Sequence, residues 1–440
     1  MTHPLPLTDS QHAMWLLHTI SGRGELFNVA ECLEFKGKIS ASWLQQALQH
    51  VWQASDMLAC RFISDDSYTP KLHHDNTPPH IICQDIAQDP EDVLSFAQQF
   101  AKPHLAKPFD LAKDALMTLF LLRGPQQDYL LIVAHHLLLD GYGFGLFSQS
   151  LNRCYNALSK GKPLPKLRFT EQQELLELQQ SDGYQAQQNH ARDTLNQWLD
   201  KIANVYSYST EKADVSEPNH RLTSTFSQSV WHTIQSAAQV TKTTSSEILL
   251  AAIAATLVEQ HQQNQVTLGL VMMNRQAIVE LSSPCVQSNV LPLPLELNDQ
   301  DDLSAVAHQI NQQIKALKKV QSYRVESLKR DRQKQGKSLS IIGPTINLLP
   351  FASTPKYAGV ETSSHILSAG TTDDIMLQIH LLGDTPATVD FDSNIARYDT
   401  AAVKHIQTRI FTAANMWATQ PKLSLKSLCE QLSHCNIEAS

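Results

Sequence analysis

No stretch of this 440-residue chain approaches 18 uninterrupted apolar residues, so no segment is expected to span a membrane. The opening, "MTHPLPLTDSQHAMW", lacks a basic segment followed by an apolar run, so it does not read as a signal peptide. No basic run of the kind that tracks a phosphate backbone occurs, and net charge is −8, which argues against nucleic acid as a partner. Cysteine is scarce and scattered: Cys32, Cys60, Cys83, Cys154, Cys285, Cys429 and Cys435 make an odd set without a C-x-x-C pair. Free thiols in a reducing compartment fit that pattern better than a disulfide framework. The expectation is a soluble, cytoplasmic, monomeric protein.

Several reaction classes also lack their signatures. There is no G-x-S-x-G elbow of the common serine hydrolases. "GKS" at 336–338 echoes a phosphate loop, but the glycine needed five positions earlier is Asp331. The helical H-E-x-x-H pattern is absent, and no cysteine has a recognisable nucleophile context. His73, His74 and Asp75 form a tempting cluster, but they sit in "KLHHDNTPPH", which reads as a polar loop. Zinc sites need three or four convergent ligands, so no metal is expected there or elsewhere.

What is present is enough for two cores. The length and 42 % hydrophobic content point to two domains or one large unit with two cores. Helices are expected over residues 5–20, capped by Thr8 or Asp9, and after Ser40, where Leu44, Ala47, Leu48, Val51 and Trp52 recur at helical spacing. "DVLSFAQQFAKPHLAKPFD" reads as a helix ended by prolines. "LMTLFLLR" and "DYLLIVAHH" read as paired strands joined by "GPQQ". Residues 162–220 read as a polar crossing. Beyond it come a helix near 228–260, strands in "QVTLGLVMM", "NVLPLPLEL", "SLSIIGPTINLLPF", "DIMLQIHLL" and "ATVDFDSN", and helices near 302–320 and 399–418. Both halves mix strands and helices, which is α/β or α+β in kind.

The densest chemistry is in "LLIVAHHLLLDGYGFG", residues 130–145. Residues 130–134 read as a strand buried on both faces. Along an extended chain His135 and His136 point to opposite sides, so at most one faces a given cavity. A neutral imidazole can take a proton from an attacking amine or hydroxyl near pH 7. Asp140 falls in the turn beyond, where a buried carboxylate either tunes the imidazole or holds the loop by pairing with an arginine.

"AHHLLLDGYG" resembles the His-His-x-x-x-Asp-Gly signature of the condensation domains of nonribosomal peptide synthetases, relatives of chloramphenicol acetyltransferase. "LTDSQHAMWLLH", "DMLACRF", "KPFDLAKDALMTLFLLR", "QSNVLPLPLEL", "YRVESLKRD", "GPTINLLPF" and "DFDSNIARYD" resemble the family's other motifs, in the family's order. No adenylation or carrier segment is evident, so the chain looks most like the free-standing amide synthases of catechol siderophore assembly.

The resemblance implies two chloramphenicol-acetyltransferase-like subdomains, residues 1–180 and 181–440, in a V with an active-site tunnel between them. It implies that His136 deprotonates or orients the attacking amine, that His135 supports the loop, and that Asp140 preserves geometry. Gly141 would offer its N–H to the oxyanion, and Asn347 would line the acceptor side. Arg61 is the candidate partner of Asp140, although Ser55, Asp56 and Ala59 depart from the family's second motif. No cofactor is expected on this chain; a phosphopantetheine arm would be delivered by an acyl or aryl carrier protein. The implied reaction joins a carrier-bound acyl group, such as 2,3-dihydroxybenzoyl, to a soluble amine such as a polyamine. Ester formation, epimerisation and an inactive carrier-docking module are the alternatives.

Overall fold

Local capping sets the first elements. In this computed structural model, which describes residues 3–64, 69–215, 219–349 and 355–435, Leu5–Pro6 (β1) leads into Asp9–Ser21 (α1). Thr8 closes a capping box: its hydroxyl accepts from the Gln11 N–H at 3.3 Å, and the Gln11 side chain accepts from the Thr8 N–H at 2.9 Å. Asn28–Phe35 (β2) follows, then Ala41–Gln53 (α2), capped by Ser40 and burying the five apolar residues expected of it. Cys60–Ser64 (β3) pairs with Pro70–His74 (β4), so His73 and His74 lie on a strand and not in the polar loop expected from their neighbours. Ile81–Asp85 (β5) precedes Val93–Leu105 (α3), whose last turn includes Pro103. Met117–Arg123 (β6) and Asp128–His135 (β7) form the expected antiparallel pair. Every residue of β7 is buried, in keeping with its unbroken apolar run. Gly141–Ser159 (α4), Gln172–Gln180 (α5) and Asp182–Leu199 (α6) complete this part.

The second half opens with His220–Thr225 (β8). The helical stretch beyond it is two helices, Gln228–Thr241 (α7) and Ser245–His261 (α8), because Lys242 turns left-handed at φ 56° and Thr244 starts a new capping box. Then come Gln265–Met272 (β9), Ile278–Leu281 (α9), Asn289–Glu296 (β10), Leu303–Val320 (α10), Val325–Lys334 (α11) and Thr345–Leu349 (β11). Lys356–Tyr357 (β12), Val360–Ala369 (β13), Ile375–His380 (β14), Thr388–Ser393 (β15), Thr400–Thr419 (α12) and Leu425–His434 (α13) follow.

Two compact units result. The first takes Met1–Gln185, Arg275–Ser288 and Ser353–Gly370; the second takes Ala186–Asn274, Asn289–Ala352 and Thr371–Ser440. The first unit's six-stranded sheet has the order β12-β13-β2-β7-β6-β5. One face carries Leu33, Phe35, Leu119, Leu130 and Ile132 under α2 and α4; the other carries Ala30, Cys32, Phe120, Leu131 and Val133 under α3. The second unit's sheet has the order β10-β9-β11-β14-β15-β8. Its apolar face packs on α7, α8, α10 and α12, with α8 buried almost all round. Pro292 and Pro294 are tolerated in β10 because it is an edge strand. No helix among the described residues is long and apolar enough to cross a membrane.

Candidate active site

The histidine pair lies where β7 ends and the chain turns into α4. His135, the last strand residue, is fully buried. Its Nδ1 accepts from the Leu137 N–H at 3.0 Å, so the ring proton sits on Nε2. Nε2 therefore donates to Nδ1 of His18 on α1, 3.0 Å away, and Phe27 and Phe109 pack around the ring. Burial holds His135 well below the ordinary histidine pKa, with the neighbouring His18 and His136 acting in the same direction. Burial also lowers His18, opposed by the charge of Glu25. His135 is thus a neutral structural ring, as its expected supporting role requires.

His136 is half-buried. Its N–H is held by the Phe27 carbonyl at 2.8 Å, and its Nδ1 lies 3.1 Å from the Leu139 carbonyl oxygen. A carbonyl can only accept, so Nδ1 carries the proton and Nε2 keeps its lone pair. Gly370, at φ +88°, passes close by: a Cβ there would lie 3.6 Å from His136 Cδ2.

Asp140 is buried and caps α4, accepting from the Gly143 N–H at 2.9 Å. Arg275 grips it in a two-point pair, with Nη1 to Oδ2 at 2.9 Å and Nη2 to Oδ1 at 3.0 Å. The Gln287 and Ser288 N–H groups each donate to Oδ2 at 2.8 Å. Burial alone would raise this carboxyl, but Arg275 and the backbone donors outweigh it and hold Asp140 below the usual carboxylate value. With both oxygens committed, Asp140 fixes geometry and does not shuttle protons. It ties residues 275–288 to the start of α4. Arg275 adds a 2.7 Å bond to the Cys285 carbonyl and lies 4.6 Å over the Tyr142 ring, whose hydroxyl donates to the Leu281 carbonyl. At Gly143 the approach is so close that a Cβ would stand 1.8 Å from the Pro284 carbonyl oxygen.

Arg275 corrects the sequence-based pairing of Asp140 with Arg61. Arg61 on β3 forms an ion pair with Asp75, because the β3–β4 ladder and a 2.7 Å bond from the Asp75 N–H to the Ala59 carbonyl bring them together. Gly141 opens α4; it is exposed, and a Cβ on it would meet nothing within 4 Å. Asn347 stands on β11 in the second unit's sheet, in register with Gln378 of β14. No group of three or more metal-ligating side chains gathers among the described residues, and the seven cysteines are free.

Comparison with known proteins decides the family. A model of the condensation domain matches residues 1–432. The chain belongs to the condensation-domain family. Its members are acyltransferase-type enzymes that form amide bonds in nonribosomal peptide and siderophore synthesis. The chain is 28 % identical over 409 residues to a dimodular nonribosomal peptide synthase of Bacillus subtilis, covering 92 % of this chain and 17 % of that protein. It is 26 % identical over 436 residues to an isonitrile lipopeptide synthase of Streptomyces coeruleorubidus (97 % and 29 %). It is 23 % identical over 431 residues to enterobactin synthase component F of Escherichia coli (96 % and 33 %). This condensation-family chain therefore spans a third or less of these relatives. Among solved structures, the first condensation domain of the CDA synthetase superposes with a TM-score of 0.88 at 20 % identity, covering 97 % of this chain and 98 % of that one. The starter condensation domain of rhizomide synthetase gives 0.87 at 23 %, covering 96 % of each. These likenesses show the mixed α/β, acetyltransferase-like fold expected from the sequence.

Proposed function

We propose that this chain condenses a carrier-bound acyl thioester with an amine, using His136 as the group that receives the amine's proton. The observation that carries the reading is the tautomer of His136: the Leu139 carbonyl holds Nδ1–H, which leaves Nε2 as a lone pair at the start of α4. The amine nitrogen attacks the thioester carbonyl carbon, and charge develops on the carbonyl oxygen. The N–H of Gly141, in the first turn of α4 where helical N–H groups lack helical partners, is placed to meet that oxygen. Nε2 takes the proton from the amine nitrogen. The tetrahedral intermediate then collapses, the C–S bond breaks, and the proton returns to the departing pantetheine sulfur. Thioesters are activated and free amines are good nucleophiles, so holding both reactants together supplies most of the acceleration.

The donor is read as an aryl group such as 2,3-dihydroxybenzoyl and the acceptor as a soluble amine, possibly polybasic, with Asn347 on the acceptor side. Similarity to sequences named enterobactin synthase component F and vanchrobactin synthetase supports a siderophore setting. Action on a carrier supplied in trans is part of the same proposal. The test is mass spectrometry of products from the purified chain, a panel of acyl-loaded carriers, and amine and alcohol acceptors. Amide products support the reading. Ester products alone, or tight carrier binding without any turnover, overturn it.

A further inference from the structure

The first unit carries an unexplained polar group beside α4. Glu31 lies on β2, in register with Ile132 of β7 and Ile366 of β13, on the sheet face that α4 covers. A carboxyl between two isoleucines contributes nothing to a packed core. Its hydrogen-bond donor is the hydroxyl of Ser364, which is itself open to solvent. Burial pushes the Glu31 carboxyl up to about 7, with the Ser364 bond opposing the shift.

Two further polar atoms lie nearby with no hydrogen bond. Thr362 sits two residues before Ser364 on the same face of β13, and its Oγ1 is buried and unpartnered. Tyr357 packs edge-on against Phe35 and Tyr155 and is also fully buried. Its hydroxyl neighbours Ser148 of α4 without completing a bond. Buried polar groups are nearly always satisfied, so two orphans beside a buried carboxyl call for a partner from outside the chain.

The helix above them leaves room for one. Gly141, Gly145, Ser148 and Asn152 follow at helical spacing along one side of α4. That side faces β12: Asn152 and Asn156 both donate to the Lys356 carbonyl, at 3.0 and 2.8 Å. A Cβ on Gly141 or on Gly145 would meet nothing within 4 Å. The stripe therefore runs without bulk from the turn holding His136 to Ser148, on the order of 10 Å at the helical rise.

We infer that this α4–β13 groove receives the acyl group of the donor thioester, and that Glu31, with Ser364, Thr362 and Tyr357, selects acyl groups that carry a hydroxyl. The inference rests on the condensation reading, which places the thioester carbonyl at His136. A hydroxyl donating to the Glu31 carboxyl would complete the polar cluster at the far end. A phenolic aryl group and an aliphatic hydroxyacyl chain share that chemistry.

The test uses stable amide analogues of acyl-pantetheine, so binding is read apart from turnover. Four are compared by calorimetry on the whole chain: benzoyl, dihydroxybenzoyl, octanoyl and 8-hydroxyoctanoyl. In at least one pair the hydroxylated analogue is expected to bind about tenfold tighter, the effect of one well-placed hydrogen bond to a buried carboxyl, and the pair that shows it names the source. Glu31→Leu is expected to erase that ratio while leaving the plain analogue's affinity unchanged. Gly145→Leu, which favours the helix, is expected to weaken both members of the pair. Equal affinities within both pairs, or a ratio that survives in folded Glu31→Leu, would overturn the inference. Failure of the condensation reading would show differently, as preserved binding without product from any amine.

Discussion

Replacing Arg275 by Leu tests whether the start of α4 is held by an ion pair across 135 residues of chain. Both partners are 3 % exposed, so the substitution strands a carboxylate in the interior. Removing one partner of such a pair costs about 3–5 kcal/mol. Three backbone N–H groups, from Gly143, Gln287 and Ser288, still reach Asp140, so the expected loss is at the lower end, about 3 kcal/mol. The pH dependence gives a second reading. In the wild type the Asp140 carboxyl lies below its unfolded value of 3.8, so its contribution is fully present above pH 3.8 and is lost as pH falls through the folded value. Without Arg275, burial dominates and raises the carboxyl. The variant is then expected to lose stability as pH rises from 4 upward, a slope of opposite sign. Urea unfolding followed by tryptophan fluorescence at several pH values measures both effects. The double variant Arg275→Leu with Asp140→Leu is expected to recover part of the loss, because no charge remains buried. A single variant within about 1 kcal/mol of wild type, with an unchanged pH slope, would refute this account of the pair.

Three further outcomes follow from the same geometry. Gly143→Ala is expected to cost about 2 kcal/mol or more in urea unfolding, since its Cβ would strike the Pro284 carbonyl, whereas Gly145→Ala should hold or raise stability by up to about 1 kcal/mol. His18→Ala leaves the His135 Nε2–H without its acceptor and is expected to cost about 1–3 kcal/mol in the same assay. Because His135 is held neutral below its ordinary value of 6.5, its contribution is full above pH 6.5 and declines as pH falls toward the lower folded value; thermal unfolding of wild type and His135→Asn between pH 7.5 and 5 should converge on acidification.

The strand ending in the histidine pair was legible because its apolar run and the following glycines act locally. Helices α1 and α2 were legible through Thr8, Ser40 and their helical spacing. Arg275 was not. It stands in "NRQAIVE", directly after β9, and nothing in that local pattern points to Asp140. The two meet only because the chain returns to cap the start of α4. Strand β13 was also missed: "VETSSHILSA" breaks alternation with Ser363, Ser364 and His365, and only its ladder with β2 makes it a strand. The same ladder draws Ser353–Gly370 into the first unit, a grouping that depends on long-range pairing and leaves no local trace. Glu31 read as one polar position in an alternating strand, and its setting between Ile132 and Ile366 emerges only with register.

Single-turnover product formation from an acyl-loaded carrier and amine, comparing wild type with His136→Ala of unchanged circular dichroism, tests the role of Nε2 most directly. A fall of about 100-fold or more is expected for loss of a proton acceptor at the reacting nitrogen. Equal rates for the two proteins would contradict it.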